Sequence, residues 1–230
     1  MKKTLLILPA YNEEGKIGTL VKKAIASNTV TTVLVSTDGN TDNTASEAKN
    51  AGAVVLSSPE KRGVGFAIRR GIDYALENGY EYCVIMGGDD QDDPKEIPKL
   101  LAKLDESNDF VIGSRYISGG KTENQNAFRF FSTKIYSLFF STMALRWLSD
   151  ASNGFRAFKT SACKNIDLWR PDLDHYELEP FFLYDMVTKH KWAEVPVKKY
   201  YHQDKSYSKM KINDFFVILV PVVKKRLGLY

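Results

Sequence analysis

Cysteine is scarce in this chain. The two that occur, Cys83 and Cys163, lie far apart in apolar surroundings, which excludes a disulfide framework and a thiolate zinc site and leaves buried thiols as the reading. A concentrated basic stripe is also missing. The net charge is +4, with 32 lysines and arginines interleaved among 28 acidic residues, so no nucleic-acid partner is expected. No apolar run approaches the roughly 20 residues that a membrane-spanning helix needs. At the start, the run Leu5 to Leu8 is cut off by Pro9 and an N-E-E triplet. That is too short for a secretory signal and reads as a buried first strand of a cytoplasmic protein. Internal repeats and low-complexity tracts are absent too, and 43% apolar content suits one globular domain of ordinary core size.

What is present is an alternation. Short apolar runs rich in Val, Ile and Leu recur at residues 4–8, 32–36, 53–56, 82–86 and 110–113. Such runs behave as strands buried on both faces. Between them, residues 14–27 place Ile17, Leu20, Val21 and Ala24 on one helical face, and residues 64–78 do the same with Ala67, Ile68, Ile72, Ala75 and Leu76 before Gly79 ends the pattern. The expected fold class is α/β, a mostly parallel central sheet with helices on both faces. Ligands of such sheets bind beyond the carboxyl ends of the strands. Three polar clusters fall there: A-Y-N-E-E after the first strand, S-T-D-G-N-T-D-N-T after the second and G-G-D-D-Q-D-D-P after the fourth.

The third cluster packs Asp89, Asp90, Asp92 and Asp93 into five positions, although neighbouring carboxylates repel one another. Asp93 is explained as a helix cap, since Pro94 suits the first helical position and Glu96 the first turn. Asp89, Asp90 and Gln91 are left as oxygen donors of the kind that Mg or Mn prefers. Two aromatic stretches follow, one from Asn126 to Leu148 and one from Phe215 to Val223 that runs into Lys224, Lys225 and Arg226. Each is consistent with a core helix or with a helix lying in a membrane surface, apolar face down.

The ordered motifs P-A-Y-N-E, S-T-D-G-N-T-D-N-T, K-R-G-V-G-F-A-I-R-R-G, G-D-D-Q-D-D-P, G-S-R-Y-I-S-G-G and D-A-S-N-G-F-R-A-F resemble those of family 2 glycosyltransferases, within which they are most similar to polyprenyl-phosphate sugar synthases. The resemblance covers nearly the whole chain. It implies a single nucleotide-binding domain of GT-A type over residues 1–211, an amphipathic C-terminal helix over 212–230, and a divalent cation, Mg or Mn. It implies inverting transfer of a sugar from a nucleotide-sugar donor to a polyprenyl phosphate, dolichyl or undecaprenyl, by an enzyme peripheral to the cytoplasmic face of a membrane. By position, Pro9, Tyr11, Glu13, Asp38, Lys61, Gly63, Gly88, Asp89 and Lys209 would surround the nucleotide. Asp89, Gln91 and Asp90 would hold the metal. Arg115, Arg129, Ser132 and Thr133 would meet the acceptor phosphate, with Asp89, Arg115 and Arg129 carrying catalysis.

Four positions depart from the family pattern. Thr37 and Gly87 stand where aspartates are expected, and Gln203 and Ser206 stand where a late run carries arginine and glycine. His202 and Lys205 are candidate replacement donors to the diphosphate, and Glu177 is a candidate sugar contact. An anionic phosphate acceptor would need no general base. A hydroxyl acceptor would need a carboxylate, with Asp89, Asp90 or Glu177 the places to look. The alternatives are a transferase acting on a soluble glycan or protein hydroxyl, and a degenerate transferase that binds nucleotide without turnover. A sugar nucleotidyltransferase is disfavoured because P-A-Y-N-E-E-G-K-I-G lacks a glycine-rich loop with arginine and lysine. A dinucleotide oxidoreductase is disfavoured because Ile68 occupies the third glycine position of G-V-G-F-A-I-R.

Overall fold

The computed structural model describes residues 2–202 and 218–229. In chain order the elements are β1 (Thr4–Ala10), α1 (Ile17–Ala26), β2 (Thr32–Asp38), α2 (Thr44–Asn50), β3 (Val54–Ser58), α3 (Val64–Glu77), β4 (Tyr82–Ile85), α4 (Ile97–Asp105), β5 (Phe110–Ser114), β6 (Lys121–Glu123), α5 (Ala127–Ala144), β7 (Arg156–Lys159), α6 (Leu178–Lys189), β8 (Trp192–Pro196), β9 (Lys198–Tyr200) and α7 (Val220–Arg226).

Seven strands form one sheet in the order β3-β2-β1-β4-β7-β5-β8, and β6 pairs with β9 in a separate ribbon. All neighbours in the large sheet are parallel except at β7, which runs antiparallel to both β4 and β5. The apolar runs become strands buried on both faces because side chains alternate across a pleated sheet. Leu5 and Ile7 of β1 enter a core shared with α3, α5, α6 and α7, whereas Leu6 and Leu8 enter one shared with α1, α2 and α4. The mostly parallel sheet with helices on both faces is therefore as expected. Both cysteines are buried and unpaired, and burial pushes their thiols well above the ordinary range.

Close packing at the sheet's centre depends on Gly71 of α3. A Cβ there would lie 2.5 Å from Cγ2 of Ile7 on β1, so the helix rests directly on the strand. Gly71→Ala gains about 1 kcal/mol of helix propensity, but overpacking a tight core costs about 1–3 kcal/mol. The clash should win. The variant is expected to unfold at lower urea concentration than the wild type, and an unchanged or higher midpoint would refute this packing.

Candidate active site

β1, β2 and β4 end side by side, and the loops that leave them meet. Gly88 donates its N–H to the carbonyl of Pro9 at 3.3 Å, and a Cβ at residue 88 would lie 2.8 Å from that oxygen, which fixes glycine there. Asp38, buried at the end of β2, accepts from the backbone N–H of Arg62 (2.9 and 3.0 Å) and of Gly63 (2.5 Å). Its carboxylate is thus spent on the 61–63 loop. From the other side Asp174 grips the same segment, pairing with Arg62 at 3.1 Å and with the buried guanidinium of Arg69, while its carbonyl accepts from Phe66 N–H. Gly63 (φ +131°) has no room for a side chain, because a Cβ would meet His175 and Asp174. Lys61 lies over the ring of Tyr11 at 3.8 Å, so two of the expected nucleotide-binding residues meet beside this loop. Glu13 opens the turn into α1, its carbonyl accepting from Lys16 and Ile17.

The acidic loop distributes its charges among separate partners. Asp93 caps the turn at Pro94, accepting from Lys95 N–H at 3.0 Å. Asp90, with a left-handed backbone (φ 58°), places both oxygens 3.0 Å from Lys23 of α1. Asp92, 3% exposed, pairs with Lys199 of β9 at 2.7 Å. Asp89 accepts from Gln91 N–H at 3.3 Å and leans over Gly87, with Oδ1 3.0 Å from where a Cβ at 87 would stand. His202 sits against the same loop, its Nε2 3.0 Å from the carbonyl oxygen of Asp90. Burial pushes Asp92 upward against the pull of Lys199. Burial also lowers Lys199, but Asp92 and Asp89 outweigh it and hold the ammonium above its ordinary value.

Beyond β5, Arg115 is 5% exposed and its fork is largely committed. Nε donates to Asp150 Oδ2 and Nη2 to Asp150 Oδ1, both at 2.7 Å; Nη2 also reaches Ser152 at 2.6 Å, and Nη1 meets the Tyr201 hydroxyl. Of five guanidinium N–H groups, one has no partner among the described residues. Asp150 is itself positioned by Glu194 of β8, which accepts from the backbone of Ser149 and Asp150. Burial raises the Asp150 carboxyl, but the bonds from Arg115 prevail and hold it below its ordinary value of 3.8. Arg129 lies in the first turn of α5, with its N–H capped by Asn126 at 2.8 Å and its guanidinium 4.6 Å above the ring of Tyr201. Arg115 and Arg129 therefore flank one tyrosine. Ser132 and Thr133 back-bond to the carbonyls of Phe128 and Phe130, and Thr133 also meets the Tyr116 hydroxyl at 2.7 Å.

A model of glycosyl transferase family 2 matches residues 5–167. The chain belongs to that family. Among curated relatives, it is 29% identical over 181 residues to polyprenol monophosphomannose synthase of Mycolicibacterium smegmatis, covering 76% of this chain and 68% of that one. It is 32% identical over 171 residues to undecaprenyl-phosphate mannosyltransferase of Micrococcus luteus, covering 72% and 70%. Among solved structures, glucosyl-3-phosphoglycerate synthase from Mycobacterium tuberculosis, in complex with Mn2+, UDP and glucosyl-3-phosphoglycerate, superposes with a TM-score of 0.72 at 16% identity, covering 99% of this chain and 80% of that one. The last likeness is one of fold, the GT-A architecture.

In this glycosyltransferase's acidic loop, Asp90 and Asp92 are bound to lysines, which leaves Asp89 and Gln91 as the oxygen-bearing side chains of the expected metal set. Among the described residues, no group of three or more carboxylate, histidine or cysteine side chains is placed to hold a metal ion. Lys209 and the altered late run at 203–209 lie outside the described residues. The partners Lys199, Asp174 and Arg69 were not anticipated from sequence. A signal for Lys199 exists: Val195, Val197 and Tyr201 are buried, and residue 199 shares their parity.

The buried Arg115–Asp150 pair yields a test. A carboxyl depressed on folding adds stability that is full above its unfolded pKa and disappears as pH falls through the folded one. Asp150→Asn should cost about 3–5 kcal/mol at neutral pH, since it leaves a buried cation without its counter-charge. The deficit should shrink as pH falls below about 4, where the carboxyl begins to protonate in the unfolded chain but not yet in the folded one. Urea titrations of both proteins from neutral to acid pH check it, and a deficit independent of pH would count against the assignment.

Proposed function

We propose that this glycosyltransferase moves a sugar, with inversion, from a nucleotide-sugar donor to a polyprenyl phosphate at the cytoplasmic face of a membrane. One observation carries the choice of acceptor. Arg129, a cation suited to phosphate, stands in the first turn of a helix whose outer face is apolar and exposed. Phe128, Phe131, Ile135 and Leu138 recur at helical spacing along α5 and are 57–71% exposed, and Trp147 beyond the helix is 74% exposed. α7 packs beside α5 and adds exposed Val220, Leu227 and Leu229, with Lys224 and Arg226 exposed beside them. A substrate with an anionic head and an apolar tail matches that succession, and a bilayer surface carrying anionic headgroups is the occupant that the flanking cations suit. No helix among the described residues is long and apolar enough to cross a membrane. The names of two relatives, one for a polyprenol and one for undecaprenyl phosphate, point the same way.

In this reading the donor lies across the ends of β1 and β2, with Pro9, Tyr11, Glu13, Asp38, Lys61, Gly63 and Gly88 shaping its pocket. Asp38 acts through the loop backbone that it holds. Asp89 and Gln91 would hold Mg or Mn, with Asp90 able to join only by leaving Lys23; such an ion supplies neutralisation of the departing diphosphate. An acceptor phosphate oxygen attacks the anomeric carbon, the bond from that carbon to the diphosphate oxygen breaks, and the electron pair leaves with the nucleoside diphosphate. The acceptor is already anionic, so no general base is required. Arg129 orients it, and Arg115 supplies positive charge from behind Tyr201 with its one uncommitted N–H.

Incubation with radiolabelled UDP- and GDP-sugars and undecaprenyl phosphate should place label in the organic phase. Label found only in the aqueous phase would favour a water-soluble acceptor, and no turnover in spite of nucleotide binding would favour a degenerate transferase. Asp89→Ala should lower kcat by about a hundredfold or more, and full activity in that variant would remove Asp89 from its role. A third outcome concerns the surface. Phe128→Glu with Phe131→Glu should reduce binding to phosphatidylglycerol vesicles at least roughly tenfold without changing the thermal transition, whereas equal sedimentation with vesicles would overturn the membrane-facing assignment of α5.

A further inference from the structure

The β9 strand lies directly along the acidic loop. Tyr200 N–H donates to the Gln91 carbonyl at 2.9 Å, Lys199 and Asp92 form an antiparallel bridge, and His202 reaches the carbonyl of Asp90. Lys199 is the residue of this strand that turns inward. Its ammonium stands 2.7 Å from Asp92 Oδ2 and 3.4 Å from Asn153 Oδ1, and an ammonium has three N–H groups. The third meets no partner among the described residues. The side chain of Lys199 is 14% exposed and that of Asp92 is 1% exposed, so the lysine is the member of the pair that a ligand can reach.

The charges around it point to a purpose. Gly87 removes one carboxylate from the loop, Lys23 ties off Asp90, Lys199 ties off Asp92, and Asp93 serves as a cap. What is left over is one carboxylate, Asp89, and Lys199 is near enough to feel its charge. Relative to a loop with paired free carboxylates, both changes weaken attraction for a divalent cation and strengthen it for an anion. Burial sharpens the effect, because a charge-assisted hydrogen bond is stronger where water is excluded.

We infer that Lys199 is a resident cation of the diphosphate site, giving the nucleoside diphosphate a hold that does not require a divalent ion. The inference rests on the transferase reading above, and it names a binding residue that the motifs did not include. Lys199 contacts the diphosphate through its third N–H while Asp92 keeps it charged and in place.

Titration calorimetry with UDP and GDP, in excess EDTA and then in Mn2+, tests this on the whole chain. Lys199→Met alone strands a buried carboxylate, so the informative protein is the double variant Asp92→Asn, Lys199→Met, whose folding is checked by its thermal transition. Wild type is expected to bind one of the two nucleotides in EDTA. The folded double variant should bind it about ten- to a hundredfold more weakly there, the loss of one charge-assisted hydrogen bond. Mn2+ should restore more affinity to the variant than it adds to the wild type. A folded double variant with wild-type affinity in EDTA would show that Lys199 merely balances Asp92 and would overturn the inference alone. Wild type that binds a nucleotide only with Mn2+ would overturn it too, leaving the transferase reading intact, whereas wild type that binds neither nucleotide under either condition would overturn both.

Discussion

Four carboxylates within five residues cannot share one loop unless something offsets their repulsion, and the way this protein distributes that charge organises the rest of the site. Asp93 is absorbed by a helix start, Asp90 by Lys23 on α1 and Asp92 by Lys199 on β9. Each partner belongs to a different element. The loop therefore acts as a junction that fixes α1, α4 and β9 with respect to the end of β4. The same arrangement leaves Asp89 as the one carboxylate of the cluster with neither an ion-pair partner nor a helix start to cap among the described residues, directed over the small Gly87. Exposed ion pairs contribute little to stability, so the Lys23–Asp90 contact matters for placement more than for energy. The buried Asp92–Lys199 pair is different, since losing either member leaves a charge in the interior.

A second charge cluster lies beyond the end of β5. Arg115, Asp150 and Tyr201 interlock, with Glu194 beneath them holding the backbone of residues 149–150. Arg129 on α5 lies over the ring of Tyr201, whose hydroxyl meets Arg115. The tyrosine thus separates a buried arginine already committed to a carboxylate from a more accessible one at the start of the apolar helix. Resemblance alone assigned both arginines to phosphate. Their geometry differs, because the Arg115 guanidinium has four N–H groups engaged among the described residues and cannot offer a bidentate fork, whereas that of Arg129 rests on an aromatic face.

The sheet was legible in the sequence because continuous apolar runs bounded by turn residues have few other uses. β1, β2, β4 and β5 were located within a few residues. The C-terminal half was harder. β7 overlaps N-G-F-R-A-F and runs on to Lys159; it carries no continuous apolar run to announce it, and it pairs antiparallel with β4 on one side and β5 on the other. β6 and β9 are three residues each and owe their form to each other. The aromatic segment after Asn126 was ambiguous between core and surface because it is both. Tyr136 and Phe140 are buried, while Phe131 and Ile135 are exposed, and composition does not report orientation.

The site was legible by type more than by partner. The motifs brought Asp38, Lys61, Gly63, Gly88 and Asp89 into one neighbourhood, and the structure brings together the loops that carry them. What sequence could not convey is which side chain each one meets. Asp38, expected beside the nucleotide, faces two backbone N–H groups of the 61–63 loop, a geometry that Gly39 and Gly63 allow by letting that loop approach. A Cβ on Gly39 would stand 2.5 Å from Lys61 N. The contact between β2 and this loop is thus made by backbone and one carboxylate. Thr37, buried near the end of β2 where an aspartate was expected, is bonded to Ser57 at 3.1 Å. The substitution removes a charge from the end of the strand and still leaves the buried hydroxyl a partner, so the charge of β2 there rests on Asp38 alone.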